Sequence, residues 1–253
     1  MKKSWLPILT FLFLIFVWEW SVKRLGIEKW LLPTPSDIFS ELLTGWSTVS
    51  EHILPTITLS ISGFLIGSTI GIFIAIVLHL IPLFRQVFYP LLIISQNIPI
   101  IVLAPLLVIW FGFGMMPKII VISLVCFFPI TIASLDGFRQ TNRDFIHYML
   151  MAGASKRQIF WKLEWPHSLP SLFSGLKISA TYSVMGAVIS EWLGASKGLG
   201  VYMTLSSSSF RTDRVFVAIL LVIFLSLIFF ALIVLIEKLV VNWKVAEEGN
   251  RHD

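Results

Sequence analysis

Residues 58–80 read TLSISGFLIGSTIGIFIAIVLHL, 23 residues without one Asp, Glu, Lys or Arg. At 1.5 Å rise per residue, about 20 apolar residues cross the roughly 30 Å hydrocarbon core of a bilayer, so this stretch is long enough to span it. Working outward, five more stretches meet or approach that length: Trp5–Trp20, Val87–Trp110, Ile119–Leu135, Leu172–Ile189 and Val215–Leu235. Composition agrees. The chain has 253 residues, 57% hydrophobic and 13% charged, with a mean hydropathy of +0.88. Soluble domains carry about 25% charged residues, so much of this surface has lipid for its solvent. The expected fold is all-α, a polytopic membrane bundle of about six transmembrane helices. The single cysteine, Cys126, lies inside an apolar run, so no intrachain disulfide is available.

The net charge of +5 sits at the ends of the apolar runs, where it sets orientation and does not point to nucleic acid. With the N-terminus inside, 12 of the 19 Lys and Arg fall on the cytoplasmic side and seven outside, so both termini are expected in the cytoplasm. Lys2 and Lys3 before an apolar core resemble a signal peptide. No small-x-small site follows, and Glu19, Trp20, Lys23 and Arg24 come next, the pattern of an uncleaved anchor. Tryptophans 5, 18, 20, 110, 192 and 243 fall near expected helix ends. Gly63, Gly67 and Gly71 form a GxxxGxxxG ladder, a groove for close approach of another helix.

The connection from about Asp136 to Ser171 is too long for a structureless loop and carries helical pattern. Phe145, Tyr148, Met149 and Met151 give one apolar face, and Gly153 interrupts it at a turn. A second helical stretch, about Ser155–Trp165, sets Ile159, Phe160 and Leu163 against Lys156, Arg157 and Lys162, and Pro166 is expected to end it. Two readings fit this spacing. It is either an interfacial helix on anionic lipid or a plug for a cytoplasmic partner, with Ile159 and Phe160 as knobs.

This segment resembles the cytoplasmic loop of binding-protein-dependent ABC importer permeases. That family's pattern is Glu-Ala-Ala, three residues, Gly, and a Pro some thirteen residues on. Gly153, the run Ala154, Ser155, Lys156, Arg157, Gln158, Ile159, Phe160, and then Pro166 follow it, whereas His147, Tyr148 and Met149 stand where Glu-Ala-Ala would. Leu32-Pro33-Thr34-Pro35-Ser36 resembles the family's Pro-x-Pro element. Ser95-Gln96-Asn97-Ile98-Pro99, Ala104-Pro105-Leu106, Trp110-Phe111-Gly112 and Ser190-Glu191-Trp192-Leu193-Gly194 through Gly198-Leu199-Gly200 are similar to the branch serving nitrate, taurine, alkanesulfonates and thiamine pyrimidine precursors, and most similar to the formylaminopyrimidine-type permeases.

The resemblance implies a type I ABC importer permease in a prokaryotic cell membrane. It implies one transmembrane domain over 1–253, with a core bundle at 58–237 and a coupling loop at 136–171. Its partners would be a second copy of the chain, two ATPase subunits, an extracytoplasmic substrate-binding protein and membrane lipid. Gly153 to Pro166 would be the coupling helix. No cofactor is implied in this chain; ATP and Mg would be bound by the ATPase, in keeping with the absence of a GxxxxGK[ST] phosphate loop here. The implied solute is a thiamine pyrimidine precursor, with sulfonate, taurine, nitrate or riboflavin-like solutes as alternatives. Among polar residues within or beside the spans, Gln96, Asn97, Tyr182 and Glu191 are the candidates for lining the pathway.

Two other classes compete. Gly194-Ala195-Ser196-Lys197-Gly198 matches the G-x-S-x-G of serine hydrolases, which would suit an intramembrane protease, but no histidine lies in the last span to serve as base. A secondary transporter would show internal repeats and buried ionisable groups for ion coupling. Neither a repeat nor more than scattered carboxylates is seen in these spans.

Overall fold

The structure, a computed structural model, describes residues 5–241. Lys2, Lys3, Trp243, Lys244 and Arg251, which carry part of the orientation and interface expectations, lie outside the described residues. The described chain is helical throughout, with no strand. In hydrocarbon each backbone N–H and C=O must be paired within its own segment, and long helices do this.

Helix α1 spans Trp5–Leu25, α2 Pro35–Thr44, α3 Trp46–Leu80, α4 Pro82–Ser95, α5 Ile100–Phe111, α6 Met115–Arg139 and α7 Arg143–Met151. Then come α8, Lys156–Ile159, a π-helical turn, Phe160–Glu164, and α9, Trp165–Glu191, followed by α10, Leu199–Ser208, and α11, Thr212–Val240. Five helices are long and apolar enough to cross a membrane, or six if the bent pair α4–α5 is one span. About six spans were expected.

The centre is a three-helix core of α3, α6 and α9, with α11 against α9. The glycine ladder of α3 lies on α6. A Cβ at Gly67 would stand 2.6 Å from the Ser123 carbonyl oxygen, and one at Gly71 would stand 3.0 Å from that of Phe127. Ser123 Oγ donates to the Gly63 carbonyl (3.3 Å) and Thr131 Oγ1 to that of Gly71 (3.2 Å), so bare backbone on α3 pairs with hydroxyls on α6. By contrast α1 buries only Val22.

Two segments depart from the sequence reading. Val87–Trp110 is no straight span: α4 and α5 meet at 100° across Gln96–Pro99. Pro99 lacks a donor and disfavours helical geometry at Ile98, so the helix stops there and restarts. Pro166, expected to end a short helix, instead lies inside a continuous rod of 36 residues, Lys156–Glu191. The π-turn accounts for this. The Trp165 N–H bonds back five residues to the Phe160 carbonyl, and the widened turn takes in a proline that a regular turn would exclude.

Two short helices were not anticipated, α2 and α10. Pro33-Thr34-Pro35 begins α2: Thr34 Oγ1 accepts from the Asp37 N–H, and the Asp37 carboxylate accepts from the Thr34 N–H, a capping box. The Thr34 hydroxyl also donates to Asp37 (2.7 Å), and these bonds hold that carboxyl below its usual range. Glu41 of α2 receives both Arg211 (2.9 Å) and Arg214 (2.8 Å), tying α2 to the start of α11.

Candidate functional site

At one end of the bundle α6 runs out at Arg139, Asn142 caps α7, and Gly153 turns the chain with φ +82°. No side chain of L configuration adopts that φ comfortably, so glycine is required here for backbone reasons. Ser155 then caps the long rod, its hydroxyl accepting from the Gln158 N–H while Gln158 Oε1 accepts from Ser155. Gly153, Ser155, Lys156 and Arg157 are exposed. So are three apolar residues of α7: Phe145 is 60%, Tyr148 69% and Met151 82% exposed.

Ile159 and Phe160, expected as outward knobs, face the opposite way. They are 5% and 2% exposed, and Phe160 packs with Ala75, Leu78, Leu135 and Phe138 of the same chain. The amphipathic spacing was read correctly but its apolar face turns into the bundle. The exposed apolar side chains on this end include those of α7, together with Trp161 of the π-turn and Leu80 and Leu83 at the α3–α4 junction. Beside Phe160, His79 Nε2 lies 2.9 Å from Glu164 Oε2, with the His79 ring against Phe138 and Phe160. This contact ties the end of α3 to the π-turn.

The four pathway candidates do not come together. Gln96 and Asn97 are exposed at the α4–α5 bend, where Asn97 Nδ2 donates to the Ile93 carbonyl (2.7 Å). Tyr182 is 45% exposed on α9, on one helical stripe with Ile178 and Met185. Glu191 points away from that stripe into the interior and is 2% exposed.

Glu191 is the centre of a network at the far end of the rod. Its Oε1 accepts from Thr56 Oγ1 (2.7 Å), and its Oε2 accepts from the Gly200 N–H (2.7 Å). Thr56 Oγ1 accepts in turn from the Leu199 N–H (2.8 Å). His52 Nδ1 accepts from the Gly198 N–H (3.1 Å). Gly198 and Gly200 are glycines because a Cβ on either would press on the Glu191 side chain. The carboxylate thus holds α3, α9 and the start of α10 together. The one histidine beside the G-x-S-x-G run is committed to Gly198, and its bonds do not include Ser196. Among these partners the sequence reading had picked out Glu191 and the Gly198-Leu199-Gly200 run; Thr56 and His52 lie more than 130 residues away in sequence, with no local pattern to join them.

A bundle of five or six spanning-length apolar helices, with a glycine-turned helical excursion at one end, is the architecture of a polytopic membrane protein. The model of the binding-protein-dependent transport system inner membrane component matches residues 67–242, well over half of the chain. Similar full-length proteins include the formylaminopyrimidine transport permease protein ThiX of Halalkalibacterium halodurans, 35% identical over 248 residues, 96% of this chain and 99% of that one. The riboflavin transport system permease protein RibX of Chloroflexus aurantiacus is 30% identical over 95% of this chain and 90% of its own length. The taurine transport system permease protein TauC of Escherichia coli is 30% identical over 85% and 80% respectively. The chain belongs to the binding-protein-dependent transport system inner membrane components and is the permease of an ABC importer.

Proposed function

We propose that two copies of this chain form the pore of an importer for a thiamine pyrimidine precursor of the formylaminopyrimidine type, driven by two ATPase subunits and fed by an extracytoplasmic binding protein. In this reading ATP and Mg are bound by the ATPases, both termini and α7 lie in the cytoplasm, and residues 58–237 carry the pore. The solute rests on the 35% identity to ThiX over nearly the whole length of both proteins. Riboflavin is the second reading, favoured by RibX at 30%.

The observation that carries the coupling assignment is the exposure of Phe145, Tyr148 and Met151 on a helix outside the spans, next to the exposed turn from Gly153 to Arg157. An apolar patch rimmed by polar residues marks an interface, and here α7 and residues 153–157 would enter the ATPase groove. Pro166 would keep the rod continuous behind it. Movement of α7 on ATP binding would then be passed into α6 and the long rod, which it joins.

Tyr148→Asp and Met151→Asp test this. The variants are expected to insert and unfold as the parent does, but to lose co-purifying ATPase and transport. Stoichiometric ATPase association in both would overturn the assignment. Proteoliposomes of the full complex, offered labelled formylaminopyrimidine, riboflavin and taurine in competition, test the solute; uptake of taurine alone would reject the pyrimidine reading.

A further inference from the structure

Trp192 continues the exposed stripe of α9: Ile178, Tyr182 and Met185 recur at helical spacing, and Trp192 follows two turns after Met185, about 21 Å from Ile178 along the helix. The indole is 48% exposed and walls a cavity of about 430 Å³ at the end of the rod. Met203, Thr204, Ser207 and Ser208 of α10 and Val215 of α11 complete it. That volume suits one small organic molecule. No charged residue lines it among the described residues, and Arg211 and Arg214, around the start of α11, are held by Glu41 and Asp213.

The hydroxyls of this cavity have a polarity. Thr204 Oγ1 donates its proton to the Gly200 carbonyl (3.0 Å) and Ser208 Oγ donates to that of Thr204 (3.0 Å), so what both have left to offer is lone pairs. Ser207, exposed one turn from Thr204, keeps its hydroxyl uncommitted among the described residues and can accept as well. Helix α10 also ends here, at Ser208, so the negative end of its dipole lies beside these acceptors. A sulfonate group, which brings only acceptors and negative charge, meets no cation and the wrong end of a helix. A flat uncharged ring bearing N–H groups meets acceptors for its hydrogens and an indole for its face. We propose that this cavity is a solute subsite on the transport path, selecting a neutral N–H-bearing heterocycle by stacking on Trp192 and by hydrogen bonds to Thr204, Ser207 and Ser208. On the import reading above, on which this rests, an aminopyrimidine is such a ring and an alkanesulfonate is not.

The test is equilibrium binding of labelled formylaminopyrimidine to the full chain in lipid nanodiscs, without the binding protein, beside uptake by the complete complex in proteoliposomes. The parent is expected to bind the pyrimidine, and ethanesulfonate is expected not to displace it. Trp192→Ala should weaken binding roughly tenfold, the scale of stacking a heterocycle on an aromatic ring, and Trp192→Phe should keep most of it. Ser207→Ala should weaken it about fivefold, the size of one hydrogen bond. All three variants should insert and melt as the parent does, because both side chains are exposed. Binding that is unchanged in Trp192→Ala and Ser207→Ala, or displaced by ethanesulfonate, would overturn the subsite. So would absence of binding to a parent chain whose complex takes up the pyrimidine, and the import reading would then stand alone. A complex that takes up no pyrimidine while the chain binds it through Trp192 refutes the import reading and supports the subsite; loss of both overturns both.

Discussion

At the α3–α6 seam one added methyl group would press directly on the backbone of the facing helix. In Gly67→Ala the new Cβ would stand 2.6 Å from the Ser123 carbonyl oxygen and 2.9 Å from the Cys126 Cβ. A carbonyl in the middle of α6 cannot step aside, so the helices must part by roughly 0.5–1 Å to restore van der Waals contact. Overpacking of this kind costs about 1–3 kcal/mol. The hydroxyl bonds that cross the same seam, Ser123 to Gly63 and Thr131 to Gly71, would lengthen with it, adding about 0.6 kcal/mol each if lost, the average for interhelical bonds in membranes. The intrinsic gain of alanine over glycine in a helix, about 1 kcal/mol, offsets part of this. The net is about 1–3 kcal/mol, or roughly 3–10 °C in thermal midpoint for a chain of this size. Gly186→Ala is the control: its Cβ would meet Ile122 and Val125 side chains at 3.5 Å, ordinary contact, so it should be neutral or stabilising. Tryptophan fluorescence on heating in one detergent reads both. Equal midpoints for the two variants would refute the backbone-on-backbone account of the seam.

Two further outcomes follow from the end that carries α7 and the Gly153 turn. At Gly153 there is open space for a side chain but φ is +82°, so Gly153→Ala should cost about 1–2 kcal/mol from backbone strain alone, with Gly153→Asn between the two in thermal midpoint. Phe160→Ala should cost about 3–5 kcal/mol, since it empties a core position at 2% exposure. Its loss of transport should thus track loss of folded protein, unlike Tyr148→Asp, whose thermal midpoint should match the parent's.

What hydropathy could show, it showed: length and composition place the long spans, and the glycine ladder marks their tightest contact. Direction was invisible to it. Val87–Trp110 has the apolar content of one span, and the only sign of the 100° break is Pro99 after Gln96 and Asn97. Pro166 carries the usual stop signal, and only the i→i+5 bond from Trp165 to Phe160, a widened local turn, explains why the helix continues. The face of Ile159 and Phe160 illustrates a limit specific to membrane proteins. An apolar stripe can meet lipid, a partner or the chain's own core, and periodicity is the same for all three. Glu191 stood out because a carboxylate in an apolar run needs partners, but those partners, Thr56 and Gly200, come together only once α3 and α9 pack.

The same packing gives α3 and the rod two fastenings, and their consequence is mechanical. Near the α7 end His79 meets Glu164, and at the far end Thr56 meets Glu191, both contacts under 3 Å. They are separated by about 35 Å along α3 and about 40 Å along the rod. Two helices pinned at one point can pivot; pinned at both ends they move as one body. On the proposed ATP-driven reading, a displacement of α7 therefore reaches the loop held by Glu191 without slippage. Thr56→Val removes the far pin with little change of volume, leaving the Leu199 N–H and a Glu191 oxygen short of a partner at about 1–3 kcal/mol. Glu164→Gln weakens the near pin while keeping a hydrogen-bonding group. Because the pins share no partners and lie far apart, stability losses in the double variant should add to within about 0.5 kcal/mol. Transport should behave otherwise. Either single change frees one end, so solute moved per ATP hydrolysed should fall in each, and the double variant should fall little further. If that ratio in proteoliposomes stays at the parent's value in both single variants, the two contacts are fastenings of the fold alone and the movement is carried elsewhere.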